Sequence, residues 1–279
     1  MQLEDKFISD LLNDIEHNRI VLPTLPEVAL KVRKVVDDPN ANVGQIAKIV
    51  ATDAALSARL IQVANSPLLR GRVPVDSLPS AIARLGNKLM RNLVTSLLME
   101  QLHQSRSPQL QKHLKSLWVH STEVAAISHV LAAHFTTLKP DEALLAGLIH
   151  DIGALPILAR AQKIEELMED STALNRIIAQ SHTRIGKAIL EAWEFPPELI
   201  AVPELHEDLQ YTSGSDINYV EVVIVANLQS YIGTSHPHAT ANWGTIPAFA
   251  KLGINPEVSI VSMEQTAEEV KEVQRLLTS

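Results

Sequence analysis

Apolar positions recur at three- and four-residue spacing along almost the whole chain, the pattern of helices buried on one face. Leu3, Phe7, Leu11, Leu12 and Ile15 form the first such stripe. Pro23 and Pro26 interrupt it, and either Thr24 or the second proline suits the start of a helix. The pattern then predicts helices over 27–36, 43–50 and 54–64. Asp38-Pro39-Asn40 ends the first, Thr52-Asp53 is a capping pair for the third, and Asn65-Ser66-Pro67 ends that one. After a loop over 68–76, Ser77-Leu78-Pro79 opens the next helix, and Gly86 separates it from a long apolar helix over 88–103. The polar stretch Gln104–Pro108 is the best linker candidate.

Helices follow over 110–135, from Lys139-Pro140-Asp141 through an apolar run to Gly153, and over 157–168, 173–180, 182–193 and 196–204. Asp216 is the expected cap of a helix over 217–232. Its segment VEVVIVANL is β-branched, but it has no pairing partner nearby and reads as a buried helix. Residues 207–216 and 233–247 read as loops, and 256–277 as a closing amphipathic helix. The expectation is an all-α, multi-helical fold in two lobes, 1–108 and 109–279.

Composition narrows this. With 46% hydrophobic residues among 279, a large core needs no covalent staples. The absence of cysteine excludes disulfides, thiolate metal sites and cysteine nucleophiles, and fits a reducing cytoplasm. The N-terminus is acidic and amphipathic, unlike a signal peptide, and no unbroken apolar stretch reaches a membrane span. A cytoplasmic protein is expected, with no membrane partner. Its net charge of −8 argues against general nucleic-acid binding. Positive charge gathers between Arg59 and Arg91 (with Arg70, Arg72, Arg84 and Lys88), where Asp76 is the one acidic residue. That stretch is either an ordinary solvated face or a phosphate- or partner-facing surface.

The most informative residues are His150 and Asp151, adjacent within the apolar run from Ala143 to Leu155. Ionisable groups are rarely buried without a partner or a metal. Neighbours on a helix point about 100° apart, so the two converge on an ion only if other elements complete the set. The alternative is a buried histidine paired with its neighbour's carboxylate. His120, His182 and His206, and a position late on the 217–232 helix, are candidate partners, each on or beside a separate helix. Imidazole with carboxylate suits one dication of manganese, iron, zinc or nickel. A core of mutually hydrogen-bonded polar groups without metal is equally compatible with the residues. His17, His103, His113, His129, His134, His236 and His238 lack such context and read as surface or satisfied core.

The motifs carry a resemblance. LPTLPEVALKV at 22–32, TDAALSARLIQVANSP at 52–67 and SLPSAIARLG at 77–86 resemble the HDOD family, the HD-related output domain of bacterial signalling. WVHS at 118–121, GLIHDIG at 147–153, SHTRIGKAILEAW at 181–193, FPPELI at 195–200 and VIVANL at 223–228 resemble the helical core of HD phosphohydrolases, expected here in the C-terminal lobe. The likeness runs from about Leu22 to Gly233. It implies that His120, His150 and Asp151 match the first three HD metal ligands. His182 and His206 match additional positions of two-metal relatives such as HD-GYP phosphodiesterases.

Four departures weigh against catalysis. Asn227 stands where catalytic members carry a final Asp, Leu205 where paired histidines stand, Ala154 where HD-GYP enzymes carry Lys, and no GYP triplet follows. One carboxylate balances two dications poorly, which argues against a dinuclear site. Ala54 also departs from the family's usual Pro. The resemblance therefore implies a non-catalytic output protein that binds a signalling partner or a small nucleotide-like ligand, with its input supplied in trans. The rival is a metal-dependent phosphohydrolase working through an incomplete site. Arg59, Asn65 and Arg84 are secondary ligand-binding candidates, although Asn65 is first a helix-ending residue.

Overall fold

The computed structural model describes residues 3–17, 19–38, 41–69, 71–258, 260 and 264–278. Arg70 of the basic stretch, Pro39-Asn40 and the side chains of Leu3, Leu12 and Ile15 lie outside the described residues. Among the described residues there is no strand. The fold is all-α. Its elements are α1 (Leu3–Glu16), α2 (Glu27–Val36), α3 (Val43–Val50), α4 (Ala54–Ala64), α5 (Leu78–Met99), α6 (Pro108–Phe135), α7 (Pro140–Ile149), α8 (Ala154–Ala161), α9 (Glu165–Glu169), α10 (Ser171–Ala192), α11 (Pro197–Leu205), α12 (Tyr219–Ser230), α13 (Pro247–Leu252) and α14 (Glu264–Thr278).

Helices α2, α3 and α4 pack on α5, which itself leans on α7. Helices α6 and α7 form the central pair of the second half, flanked by α12 and α14, while α10 joins α8 and α11. One apolar core runs through both predicted lobes, from Phe7 to Leu277. Arg59 on α4 donates to the Leu277 carbonyl of α14 at 2.8 Å, so the closing helix ties the two halves together.

Local sequence explains the ends. Gly86 adopts φ 74°, a left-handed conformation, and kinks α5 where the sequence predicts a break between two helices. Asp53 caps α4, its side chain accepting from Leu56 N at 2.9 Å. The cap of α12 is Asn218, not the expected Asp216, because a reciprocal capping box with Glu221 satisfies both ends. Further boundaries differ, and the closing helix expected over 256–277 is found as α14 from Glu264, with 256–258 outside any helix. The helix expected over 157–168 is two short ones, α8 and α9. Those expected over 173–180 and 182–193 are one continuous helix, because nothing at the fully buried Ser181 interrupts the backbone ladder. Short α13 lies beyond the predicted loop over 233–247.

The run from α7 to α8, Pro140–Ala161, is long and apolar enough to cross a membrane by length and composition, but 83% of its apolar window is buried in the core. That placement is what a core element of this fold requires, since all of Ala143–Ile149 is enclosed.

Candidate metal centre

Five elements converge beside the middle of α6. His120 lies on α6, His150 and Asp151 just after α7, His182 on α10, His206 directly after α11, and Asn227 on α12. The His-Asp pair does not sit inside a continuous helix from Ala143 to Leu155. Helix α7 ends at Ile149, and a tight turn follows, with Ile152 N bonded to Ile149 O and Ala154 N to Asp151 O. The turn brings His150 Nε2 within 3.4 Å of Asp151 Oδ2. Gly153 completes it, because any Cβ there would collide with the His182 carbonyl oxygen. The chain can approach α10 this closely only without a side chain.

Each carboxylate oxygen of Asp151 faces two imidazoles. Oδ2 lies 3.7 Å from His120 Nε2 and 3.4 Å from His150 Nε2. Oδ1 lies 3.3 Å from both His182 Nε2 and His206 Nε2. The nitrogens of each pair are also close, at 3.2 Å for His120–His150 and 3.3 Å for His182–His206. Two donor triads thus share one carboxylate.

Backbone contacts orient these rings. His150 Nδ1 donates to Gly147 O at 2.6 Å, His182 Nδ1 to Ile178 O at 2.8 Å, and His206 Nδ1 to Pro203 O at 3.1 Å. With the proton held on Nδ1, a neutral imidazole turns its Nε2 lone pair inward. Lone pairs facing one another and a carboxylate repel unless a proton or a cation lies between them. Without metal, a proton fills that role at His182. Burial opposes its charge, but the hydrogen-bonded Asp151 carboxylate outweighs burial and raises its pKa to about 9. His150 is fully buried, and desolvation, only partly offset by Asp151, lowers it to about 3. Burial would raise Asp151, yet His150, His182 and His206 hold it well below the usual carboxylate range.

A cation fits this donor set. Donors about 2.1 Å from one ion stand about 3.0–3.4 Å apart, close to the spacings within each triad. The side chain of Asn227, 3% exposed, interacts with His120 and Tyr231, but its buried Oδ1 makes no hydrogen bond of good geometry. Among the described residues no other carbonyl-type side-chain oxygen is left so. An orphaned acceptor beside inward-facing imidazoles is what a metal site loses when its ion is removed. The residues that would hold an ion are His120, His150 and Asp151 with Asn227 beside them, and Asp151 again with His182 and His206.

The cluster opens into a cavity of about 370 Å³. Leu117, Leu158 and Ile178 form apolar walls, and Asn175 and His113 add polar edges. Among the described residues no Lys or Arg lines it. Tyr231 stacks between His120 (centroids 5.3 Å) and His236 (3.7 Å), and burial together with the Asp151 and Glu207 carboxylates raises its pKa, which keeps the phenol neutral. Glu207 and His236 line the mouth, and His238 Nε2 reaches Glu207 Oε2 at 3.2 Å.

His113 and His236 therefore line the cavity, beyond the expectation of surface or satisfied core, while His238 is partly exposed and paired with Glu207. The loop holding His236 and His238 has no periodic signal that could have placed it there, and Glu207 stood out only as the neighbour of His206. His17, His103, His129 and His134 do have ordinary partners: Asn13 O, Met99 O, Pro140 O and Glu269.

The secondary candidates lie in the first lobe, outside this cavity. Asn65 bonds both ways with the Val75 backbone, at 2.7 and 2.9 Å. Arg84 donates to Ala64 O at 3.1 Å, to Asn65 Oδ1 at 3.3 Å and to Val73 O. Arg59 pairs with Glu100 at 3.0 Å as well as with α14. All three are engaged in holding the fold. In the same basic stretch Arg91 pairs with Asp37, whereas Arg72 and Lys88 are exposed.

A Shewanella amazonensis SB2B protein named, by inference, a metal-dependent phosphohydrolase superposes with a TM-score of 0.87 and 29% identity, over 99% of this chain and 100% of that one. An HDOD domain protein of unknown function from Geobacter sulfurreducens shares the fold at a TM-score of 0.67 and 21% identity, over 97% of each chain. A Marinobacter aquaeolei VT8 protein named, also by inference, a signal transduction protein shares it at 0.69 and 18%, over 100% of this chain and 67% of that one. An uncharacterized protein of Treponema pallidum (strain Nichols) is 23% identical over 235 residues, 79% of this chain, and the chain spans 43% of that protein's length. Residues 22–209 match the HDOD domain model, more than half of the chain. The chain belongs to the HDOD domain family.

Proposed function

We propose that the chain is a signal-transduction output module that holds one transition-metal dication at the Asp151 cluster and binds a small ligand in the cavity above it, without turning it over. The observation that carries this reading is the cation-free wall. Rapid phosphoryl transfer needs positive groups aimed at the charge that develops in the transition state. Here Ala154 and apolar side chains stand where such groups would act, so the ion would be the one positive element in contact with a phosphate. A ligand held by that ion and the apolar walls would bind and dissociate unchanged.

The test combines metal content with turnover. Protein purified without chelator should carry about one metal per chain by elemental analysis. With manganese added, mono-, cyclic and dinucleotides should show no hydrolysis that His150→Ala or Asp151→Ala abolishes. Hydrolysis that either substitution removes would sink the non-catalytic reading.

One observation favours a second reading, a metal-dependent phosphohydrolase. The two oxygens of Asp151 serve separate histidine pairs, an arrangement suited to more than one ion. A metal bound there would supply an activated water at neutral pH. Two ions per chain together with mutation-sensitive turnover would select this reading over the first.

A further inference from the structure

The charge of the centre is the unsolved part of the metal reading. With four neutral imidazoles, Asp151 alone leaves a dication half-compensated, and Asn227 adds no charge. Glu207 is the other carboxylate at the cavity. It directly follows His206 in the chain, and its Oε1 lies 3.6 Å from His206 Nε2. Its side chain is 35% exposed and faces the open mouth of the cavity, not the packed interior.

Its position is built. His238 Nε2 holds Oε2 at 3.2 Å, which leaves Oε1 directed to the cluster side. The short turn carrying His238 is fixed from three directions. Trp243 Nε1 donates to His238 O at 2.8 Å, His238 N donates to His236 Nδ1 at 3.3 Å, and the His236 ring lies flat on Tyr231. Tyr231 in turn stacks on the candidate ligand His120. A histidine that fixes a carboxylate beside an ion is the arrangement by which outer residues orient metal ligands.

The geometry points to Glu207 as the second carboxylate at the metal centre, standing at the cavity side just outside the two donor triads and offsetting the charge that Asn227 does not supply, with His238 as its positioning residue. This rests on the metal reading above. Asp151 and Glu207 together balance one dication, so the loaded centre is neutral and accommodates one ion better than two.

The test is manganese affinity, measured by electron paramagnetic resonance of the free ion and by calorimetry, so that no turnover is needed. Glu207→Gln keeps the shape and removes the charge, and it should weaken binding by about 10–100-fold. His238→Gln should weaken binding in the same direction, by less. Glu204→Gln is the control: it removes equal charge three residues earlier, on α11, where Glu204 pairs with Lys187 at 2.8 Å, and it should leave affinity unchanged. Melting curves of the metal-free variants verify folding. If the wild type binds while Glu207→Gln binds equally well, or if Glu204→Gln weakens binding as much, the proposal is overturned and the metal reading stands. A wild type that takes up no manganese overturns both.

Discussion

Asn65 and Asn227 are the same residue in two opposite situations. Asn65, at the end of α4, spends both ends of its amide on the Val75 backbone and shares its oxygen with Arg84. Asn227 is buried on α12 with its oxygen unpaired. Both were candidates for contact with a ligand. The folded chain separates them by satisfaction: a saturated amide is a fastener, and an amide with a spare buried acceptor is a place where something is missing. The same contrast holds for the surrounding groups. Arg59 and Arg84 reach carbonyls and a carboxylate of their own chain, whereas four imidazoles turn their Nε2 atoms toward one aspartate.

The largest expected effect comes from Gly153, where the centre and the fold meet. Gly153→Ala should cost about 3 kcal/mol or more, because its Cβ would overlap the carbonyl of His182, which α10 cannot move without displacing a cluster residue. Urea denaturation measures it. A loss under about 1 kcal/mol would mean that α10 yields readily and that the cluster is not rigidly held.

Next comes pH, in chelator-treated protein. His150, lowered to about 3, and the buried His103 and partly buried His120 and His129, all lowered chiefly by desolvation, take up protons less readily in the folded chain below pH 6.5 than in the unfolded chain. Stability should therefore fall as pH drops from 6.5, by up to about 1.4 kcal/mol per unit for each such histidine. His182 has the opposite sign. Its folded pKa of about 9 exceeds the unfolded value, so its contribution is complete below 6.5 and is lost as pH rises toward 9. A stability maximum near neutrality with a steeper acid limb is expected in urea midpoints. A flat acid limb would mean that these rings are protonated in the fold.

Much of this was legible in the sequence, for identifiable reasons. Helices with a clear apolar stripe and a breaker, such as α2, α3 and α4, match their expected residues because local rules alone set them. Residues His120, His150, Asp151, His182 and His206 come together because each lies on a different helix of one recognisable core. What escaped depended on contacts between distant segments. The break after Ile149 follows from the close approach of Gly153 to α10, which no local pattern encodes. His236 and Tyr231 line the cavity from a loop and a helix end, and Trp243 holds the backbone of that loop at His238 O. The unsatisfied state of Asn227 is a property of its surroundings, and a sequence cannot display it.

A smaller effect is expected at Asn65. Asn65→Ala should cost about 1–3 kcal/mol, since it frees the Val75 N–H and carbonyl and removes a partner of Arg84, while leaving metal affinity unchanged. Calorimetric melting with a parallel metal titration tests both halves. A changed affinity would show that the first lobe acts on the centre.

Asn227→Leu should have the smallest effect on the metal-free protein and is the sharpest test of the comparison. Replacing a buried amide whose oxygen lacks a good hydrogen bond by an apolar group of similar volume costs little, about 1 kcal/mol, because only its side-chain contacts with His120 and Tyr231 are lost. The same substitution applied to a fastener such as Asn65 would be costly. With manganese present the order should reverse. A bound ion stabilises the fold in proportion to its affinity, by about 2.7 kcal/mol at a hundredfold excess over Kd, and Asn227→Leu should shrink that shift while Asn227→Asp enlarges it. If the Leu variant melts like the wild type in both conditions, the Asn227 oxygen is not a donor to the ion, and the donor set reduces to His120, His150, Asp151, His182 and His206 with Glu207. If it melts markedly lower without metal, the oxygen has a partner in solution, and the distinction between the two asparagines fails.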